Sequence, residues 1–280
     1  MDAHDGCLLF FNGRYYLYGT AYGNSDGYGA TNRYQVYSSP DLEHWKRENE
    51  LLKNPPVGVY YRPYVVFNRN TRKYVLWYNW YPKLWNGEIG VAVSDTPVGP
   101  FTIVSTNKLQ SRPGSRAGDG SLFVDNDGQG YFIFSVMDEG YAIRILPLTP
   151  DYLGLTGEAS GILVKETEAP LLFRRDNLYY ILCGTLCNSC PEGSVVVVLT
   201  SKSIFGPYVA HPKINRSPEN GAPVIPAQET WVATIPTPEG MAFLWMGDRW
   251  GSSPDGIKGH DFQYWTVLSF GTNGDILPIK

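Results

Sequence analysis

The chain is poor in charge. Asp, Glu, Lys and Arg make up 18% of its 280 residues, against about a quarter in an ordinary globular protein. The formal net charge is −4. No basic excess is available to neutralise a phosphate backbone, which argues against a nucleic-acid partner. Long apolar runs are missing too. None reaches the roughly 18 residues that mark a membrane-spanning helix, so no membrane partner is expected. Histidine is scarce, with four in the chain. His4 and His260 stand far apart, and no zinc site is expected. Asp125-Asn126-Asp127-Gly128 has half the pattern of a calcium loop but lacks the distal bidentate Glu, so it reads as a hairpin turn. No metal and no cofactor are expected.

Cysteine is scarce as well. Cys183, Cys187 and Cys190 have the spacing C-x3-C-x2-C, which some iron–sulfur enzymes use. Residues 179–185, however, read as a strand, and those cluster enzymes are α/β proteins. The bland reading is a Gly- and Pro-flanked loop with buried thiols or one disulfide, either Cys187–Cys190 or Cys7–Cys183. No leader precedes the first motif, and a mature, secreted domain is expected. The sequon Asn215-Arg216-Ser217 is compatible with secretion, although Pro218 follows it.

Aromatics are plentiful, at 14% with 20 Tyr, 12 Phe and 8 Trp. Five units share one pattern: an apolar strand, a tight turn, a second aromatic strand, and a third strand ending in a polar corner. The first strands cover residues 8–11, 63–67, 121–124, 170–173 and 230–235. The second cover 15–20, 73–78, 130–136, 178–183 and 241–246. The third cover 34–38, 90–94, 141–146, 195–200 and 264–270. Asn12-Gly13 between two apolar runs is a strong hairpin signal. The corners at 94–101 and 201–208 are nearly the same sequence. Almost nothing reads as a long helix. Short strands in repeated units give a sandwich, a barrel or a propeller. A few strands per unit in a regular repeat favour the propeller. The expectation is an all-β, five-bladed β-propeller spanning residues 1–280 as a single catalytic domain, with a sandwich as the alternative.

In a propeller the first strand of each blade lines a central channel. The residues just ahead of those strands crowd one mouth. In blades one to five these are Asp5, Arg62, Asp119, Glu168 and Gln228. Converging polar groups are costly to desolvate, so structure alone explains them poorly. Singly, Asp5 also reads as a turn aspartate, Asp119 as part of a Gly-flanked turn, and Arg62 and Arg249 as halves of structural ion pairs, with Asp248 as a partner.

These residues carry a resemblance. His4-Asp5-Gly6, Asp119-Gly120-Ser121-Leu122-Phe123 and Glu168-Ala169-Pro170 stand in the blade order of the family 43 glycoside hydrolases, which are five-bladed propellers. The resemblance implies inverting hydrolysis of a glycosidic bond, with Asp5 as base, Glu168 as acid and Asp119 as the carboxylate that raises and orients the acid. Tyr61-Arg62-Pro63, Gly99-Pro100-Phe101, Gly247-Asp248-Arg249-Trp250 and Gln228 look like the exo-β-1,3-galactanase branch. That branch tends to carry Gly where this chain has Asp5, and Glu where it has Tyr61. Sugar contacts are expected from His4, Arg62, Trp80, Tyr81, Gln228 and Arg249. Trp85, Tyr22 and Tyr28 are further aromatics near the mouth, and Trp77 reads as blade core. The expected partner is an oligo- or polysaccharide, taken by a monomer. Enzyme alternatives are α-L-arabinofuranosidase, β-xylosidase or β-galactofuranosidase with the same triad. The alternative from another class is a non-catalytic carbohydrate-binding propeller, which would be expected to have lost a carboxylate.

Overall fold

The computed structural model describes residues 1–109, 117–187 and 189–280. Its strands fall into five antiparallel sheets, each built from consecutive strands, and the sheets are the blades of a five-bladed β-propeller. Blade 1 takes His4–Phe11, Arg14–Ala21, Arg33–Ser39 and Lys46–Glu50. Blade 2 takes Val59–Asn68, Lys73–Tyr81, Glu88–Ser94 and Thr102–Ser105. Blade 3 takes Ala117–Val124, Gly130–Val136 and Ala142–Pro147. Blade 4 takes Thr167–Arg175, Leu178–Thr185, Val197–Ser201 and Val209–His211. Blade 5 takes Gln228–Thr237, Gly240–Arg249 and Phe262–Val267.

The local chemistry accounts for the turns. Asn12 and Gly13 have φ of +47° and +75°, the pair of left-handed residues that a two-residue hairpin needs to match strand twist. The two similar corners fold alike. The Ser94 hydroxyl accepts from the Thr96 amide at 3.1 Å and the Ser201 hydroxyl from the Ser203 amide at 3.0 Å. Each corner then turns at a glycine of positive φ, Gly99 or Gly206. The Asp125–Gly128 turn is a hairpin, as expected. Its Asp125 carboxylate is taken by Arg174 at 2.6 Å and by the Tyr179 hydroxyl at 2.5 Å.

The fourth strands of blades 1, 2 and 4 escape a reading by hydrophobic pattern because they are short and largely solvent-facing. The third strand of blade 5 ends at Val267, short of the expected residue 270. Phe270 instead bridges to Ile276.

Aromatic packing joins neighbouring blades. The buried Trp77 ring lies 5.0 Å from Phe132 of blade 3, and its indole N–H donates to the Tyr152 carbonyl at 2.8 Å. Burying a side chain of this size stabilises by about 1.5–3 kcal/mol. The ring of blades closes without a shared sheet among the described residues. Leu8, Tyr15 and Leu17 of blade 1 pack on Ala233, Leu244 and Met246 of blade 5. The Gln263 amide donates to the Ala3 carbonyl at 2.6 Å across the same seam.

Two expectations about modification are resolved. Cys187 and Cys190 form the disulfide, while Cys7 and Cys183 are buried free thiols. Burial pushes the Cys7 thiol up to about 12. Asn215 is not an open sequon. It is fully buried, its amide donates to the Ser194 and Ile225 carbonyls at 2.7 and 2.6 Å, and its oxygen accepts from the Ile225 amide.

Candidate active site

Each inner strand carries an irregularity near its start. The pairing register slips between His4 and Cys7, between Tyr61 and Pro63, between Glu168 and Leu171, and between Glu229 and Trp231. In blade 3 the slip falls opposite Phe134 and Val136, beside Ala117–Gly120. A bulge breaks the alternation of a strand and re-aims the side chains beside it. Asp5 and Arg62 lie inside their bulges with φ of +47° and +51°, and Ala169, next to Glu168, has φ of +52°. Such angles are uncommon away from glycine and cluster at functional sites. Asp5, Arg62 and Asp119 therefore lie on bulges, Glu168 borders one, and Gln228 is the paired first residue of its strand; all five lie within the inner strands rather than ahead of them.

All five come together at one place. Asp5, Arg62, Asp119, Glu168 and Gln228 line a single pocket of ≈ 420 Å³. Arg62 is its hub. The Arg62 Nε lies 3.0 Å from an Asp119 oxygen, and Nη1 donates to the Tyr64 hydroxyl at 3.1 Å. Its backbone N–H donates to Asp5 Oδ2 at 3.2 Å. Arg62 is only 2% exposed. Burial works against its charge, but Asp119, Tyr64 and Asp5 outweigh burial and hold it firmly protonated.

Asp5 sits at the back of the pocket, 3% exposed. Its Oδ2 also accepts from the Tyr22 hydroxyl at 3.0 Å. Burial raises its pKa above the ordinary carboxylate value, and the charge of Asp248 raises it further. Arg62 and Lys258 pull it back only in part. Asp119 is the more open carboxylate, with 21% of its side chain exposed. Glu168 pairs with Gly184 in the ladder, and the Ser121 hydroxyl of blade 3 pins the Pro170 carbonyl just beyond it at 2.8 Å. Tyr81 faces both Asp119 and Glu168. Burial first, then the charges of these two carboxylates, pushes its phenol well above the usual range. Gln228 accepts from the Trp250 indole N–H at 3.1 Å, which leaves Nε2 as the donor end of its amide. Among the described residues no group of three or more His, Cys, Asp or Glu is placed to hold a metal ion.

Tyr28, Tyr61, Tyr81, Trp85 and Trp250 wall the pocket, with Trp85 53% exposed. Trp80 is not among them. Its strand runs on to Tyr81, so Trp80 and Tyr81 point to opposite faces of the sheet. Trp80 is buried against Tyr60, and its indole N–H donates to the Thr106 carbonyl at 2.7 Å. Its expected role as an open sugar platform is corrected to one in the blade core.

Two more expected sugar contacts lie outside the pocket lining. His4, beside Asp5, is fully buried away from the pocket, with Nδ1 2.9 Å from an Asp248 oxygen. Arg249 ends its strand outside the pocket lining, and Asp248 pairs instead with Lys258 at 2.7 Å. Tyr22 is also buried, serving Asp5 rather than solvent. The sequence reading missed Met137 and Tyr141 of blade 3 and the Cys187–Cys190 loop whose Cys187 and Ser189 reach the rim. It also missed Lys258, which lies behind the lining against the Trp250 ring. Trp250 carried a signal as the last residue of the Gly247-Asp248-Arg249-Trp250 motif, and Cys187 as part of the cysteine motif.

The chain is similar to known glycoside hydrolases. The model of the glycosyl hydrolases family 43 matches residues 2–246. A β-1,3-galactosidase of that family, solved with galactodeoxynojirimycin, superposes with a TM-score of 0.84 at 25% identity, covering 99% of this chain and 93% of its own. An exo-β-1,3-galactanase from Clostridium thermocellum gives 0.84 at 26% identity, covering 99% of this chain and 61% of its own. An arabinoxylan arabinofuranohydrolase from Bacillus subtilis (strain 168) is 27% identical over 262 residues, 73% of this chain and 48% of that protein. The chain spans less than half the length of the curated relatives it matches. On the family match and the shared propeller, the chain belongs to glycosyl hydrolase family 43.

Proposed function

We propose that the chain is an inverting, exo-acting glycoside hydrolase of plant polysaccharide side chains, with β-1,3-galactan as its substrate. The observation that carries this reading is the convergence of Asp5, Asp119 and Glu168 in one aromatic-walled pocket at one mouth of the propeller. Cleavage requires a proton for the leaving oxygen and an activated water at the anomeric carbon. Glu168 supplies the proton. Asp5, whose raised pKa makes its carboxylate a stronger base, activates the water. Asp119 acts beside Glu168 and is itself held by Arg62. A carbohydrate-binding propeller without catalysis would not need three carboxylates kept together.

The galactan assignment draws on the two galactose-directed structures that cover 99% of the chain. A second reading, an α-L-arabinofuranosidase, draws on the arabinoxylan-directed relative and on the retained Asp5. An extracellular setting fits such substrates and the Cys187–Cys190 disulfide. Asp5, Arg62, Asp119, Glu168 and Gln228 all come from one chain, which fits a monomer. Products from β-1,3-galacto-oligosaccharides, arabinoxylan, and 4-nitrophenyl arabinofuranoside, xyloside and galactofuranoside separate these activities. Stepwise release of galactose supports the first reading, while arabinose release with inert galactan replaces it with the second.

The role of Asp5 has its own test. Asp5→Asn is expected to lower turnover by at least the roughly 10²–10⁴-fold that general-base catalysis supplies. Azide should restore part of that rate. A mild Asp5→Asn beside a severe Gln228→Ala would move water positioning to Gln228.

A further inference from the structure

Behind the pocket lies a buried lysine that the chemistry above does not use. Lys258 stands in the loop between the last two strands of blade 5 and is 3% exposed. Its Nζ is 2.7 Å from Asp248 Oδ2 and 3.4 Å from Asp261 Oδ2. The same Nζ lies 4.3 Å from the centre of the Trp250 ring and 5.1 Å from that of Tyr22. The two rings meet edge to face at 5.6 Å. Each ring donates one hydrogen bond into the pocket, Tyr22 to Asp5 and Trp250 to Gln228. The lysine thus touches both residues that orient the two groups serving the attacking water.

The surroundings pin the backbone on either side of these rings. The Lys258 amide donates to the Ser25 carbonyl at 2.9 Å, tying this loop to the blade 1 loop that follows Tyr22. A Cβ on Gly27 would lie 2.8 Å from the Trp250 ring, and one on Gly259 would lie 2.4 Å from the Gly23 carbonyl. Asp261 accepts from the Gly251 and Ser253 amides at 2.9 and 2.8 Å, which fixes the chain just after Trp250. Asp2 does the same for the Tyr22 and Gly23 amides, at 2.8 Å each. A cation on an aromatic face is attracted by the ring quadrupole, most strongly when desolvated.

We propose that Lys258 is a positioning residue for the hydrolytic site, clamping Tyr22 and Trp250 so that Asp5 and Gln228 are held together against the attacking water. This inference rests on the reading that Asp5 and Gln228 serve that water. Lys258 touches no substrate. It acts on orientation, so its loss lowers turnover more than binding. It also acts through charge. Lys258 faces Asp248, Asp261, His4 and Tyr22. Asp5 faces Arg62, Tyr22, Tyr34, Tyr61 and Tyr64 as well as the Lys258–Asp248 pair. Removing the lysine leaves Asp248 uncompensated beside Asp5, so the Asp5 pKa rises.

The test is steady-state kinetics of Lys258→Met and Lys258→Arg on a β-1,3-galacto-oligosaccharide, or on the aryl pentoside if that is the better substrate. For Lys258→Met the expected result is a fall in kcat of about 10–10²-fold, the scale of a small misplacement of catalytic groups. KM should change little, and the acid limb of the kcat/KM profile should move to higher pH. Lys258→Arg should recover part of kcat. A folded Lys258→Met with the kcat and acid limb of the original protein overturns the proposal. Removing one member of a buried ion pair is strongly destabilising, whereas neutralising both is often tolerated. If Lys258→Met fails to fold, the double variant Asp248→Asn/Lys258→Met takes its place. The same selective loss of kcat is expected there, and an unchanged kcat in the folded double variant overturns the inference. Asp5→Asn and Gln228→Ala measured alongside separate the two levels. If both stay active, the reading of the site fails. If either is inactive while Lys258→Met is unaffected, only the role of Lys258 fails.

Discussion

Asp5 is held at a cost to the fold. Its carboxylate is buried beside Asp248, and its folded pKa stands above the unfolded value of 3.8. A raised carboxylate contributes most stability when protonated, below the unfolded pKa, and that contribution is lost as pH rises through the folded pKa. At pH 7 the native state therefore carries an unfavourable charge. Asp5→Asn is expected to raise the melting temperature at pH 7 while lowering activity, and the gain should shrink as pH falls through the folded Asp5 pKa and be gone below the unfolded value of 3.8. Calorimetry at the two pH values checks this, and a lowered melting temperature at pH 7 would contradict it. The same raised pKa is expected to shift the acid limb of the activity profile to higher pH than an unperturbed Asp would give. Glu168→Gln should abolish turnover of natural linkages and leave the melting temperature and ligand binding near their original values. Substrates with activated leaving groups should suffer least, because they need less protonation. Near-normal activity of that variant on polysaccharide would remove Glu168 as the acid.

The element that makes this chemistry possible is the bulged start of each inner strand. In blade 1 the bulge depends on Gly6, where a Cβ would sit 1.9 Å from the Tyr18 carbonyl oxygen of the neighbouring strand. Gly6→Ala is expected to cost about 3 kcal/mol or more, at the top of the usual range for overpacking, because backbone blocks the methyl. Denaturant titration measures it, and a cost below about 1 kcal/mol would contradict the close approach. The Cys187–Cys190 loop is a different case. It closes a very short loop, so Cys187→Ser/Cys190→Ser should cost at most about 2 kcal/mol. Because Cys187 and Ser189 reach the pocket rim, the larger expected effect of that variant is a rise in KM, read from initial rates. Strand alternation also explains part of what the sequence left illegible. Asp5, Arg62, Asp119, Glu168 and Gln228 were recoverable because each recurs at one place in a repeat. Trp80 was misplaced because it neighbours Tyr81 in a strand, and neighbours in a strand face opposite ways. His4 and Arg249 stand beside the pocket residues Asp5 and Trp250 in sequence, yet lie outside the pocket lining. Lys258 lies in a non-repeating loop, where no periodicity could reveal it.

At the scale of the molecule, the repeat was enough to read the propeller. Five copies of strand, turn and aromatic strand leave few ways to bury their faces. The closing seam was less legible. It depends on the contacts of Gln263 with Ala3 and of His4 with Asp248, pairs some 240–260 residues apart in sequence. The ring brings three carboxylates from blades 1, 3 and 4 to one mouth, and that placement makes a specific claim about stereochemistry. If Asp5 activates water and Glu168 protonates the leaving oxygen, as proposed, each bond is broken in a single displacement. Proton NMR of the sugar released in the first minutes, before mutarotation, tests this directly. The account predicts that the first anomer has the configuration opposite to that of the bond cleaved. Release of the anomer with the original configuration would require a covalent intermediate and would contradict it.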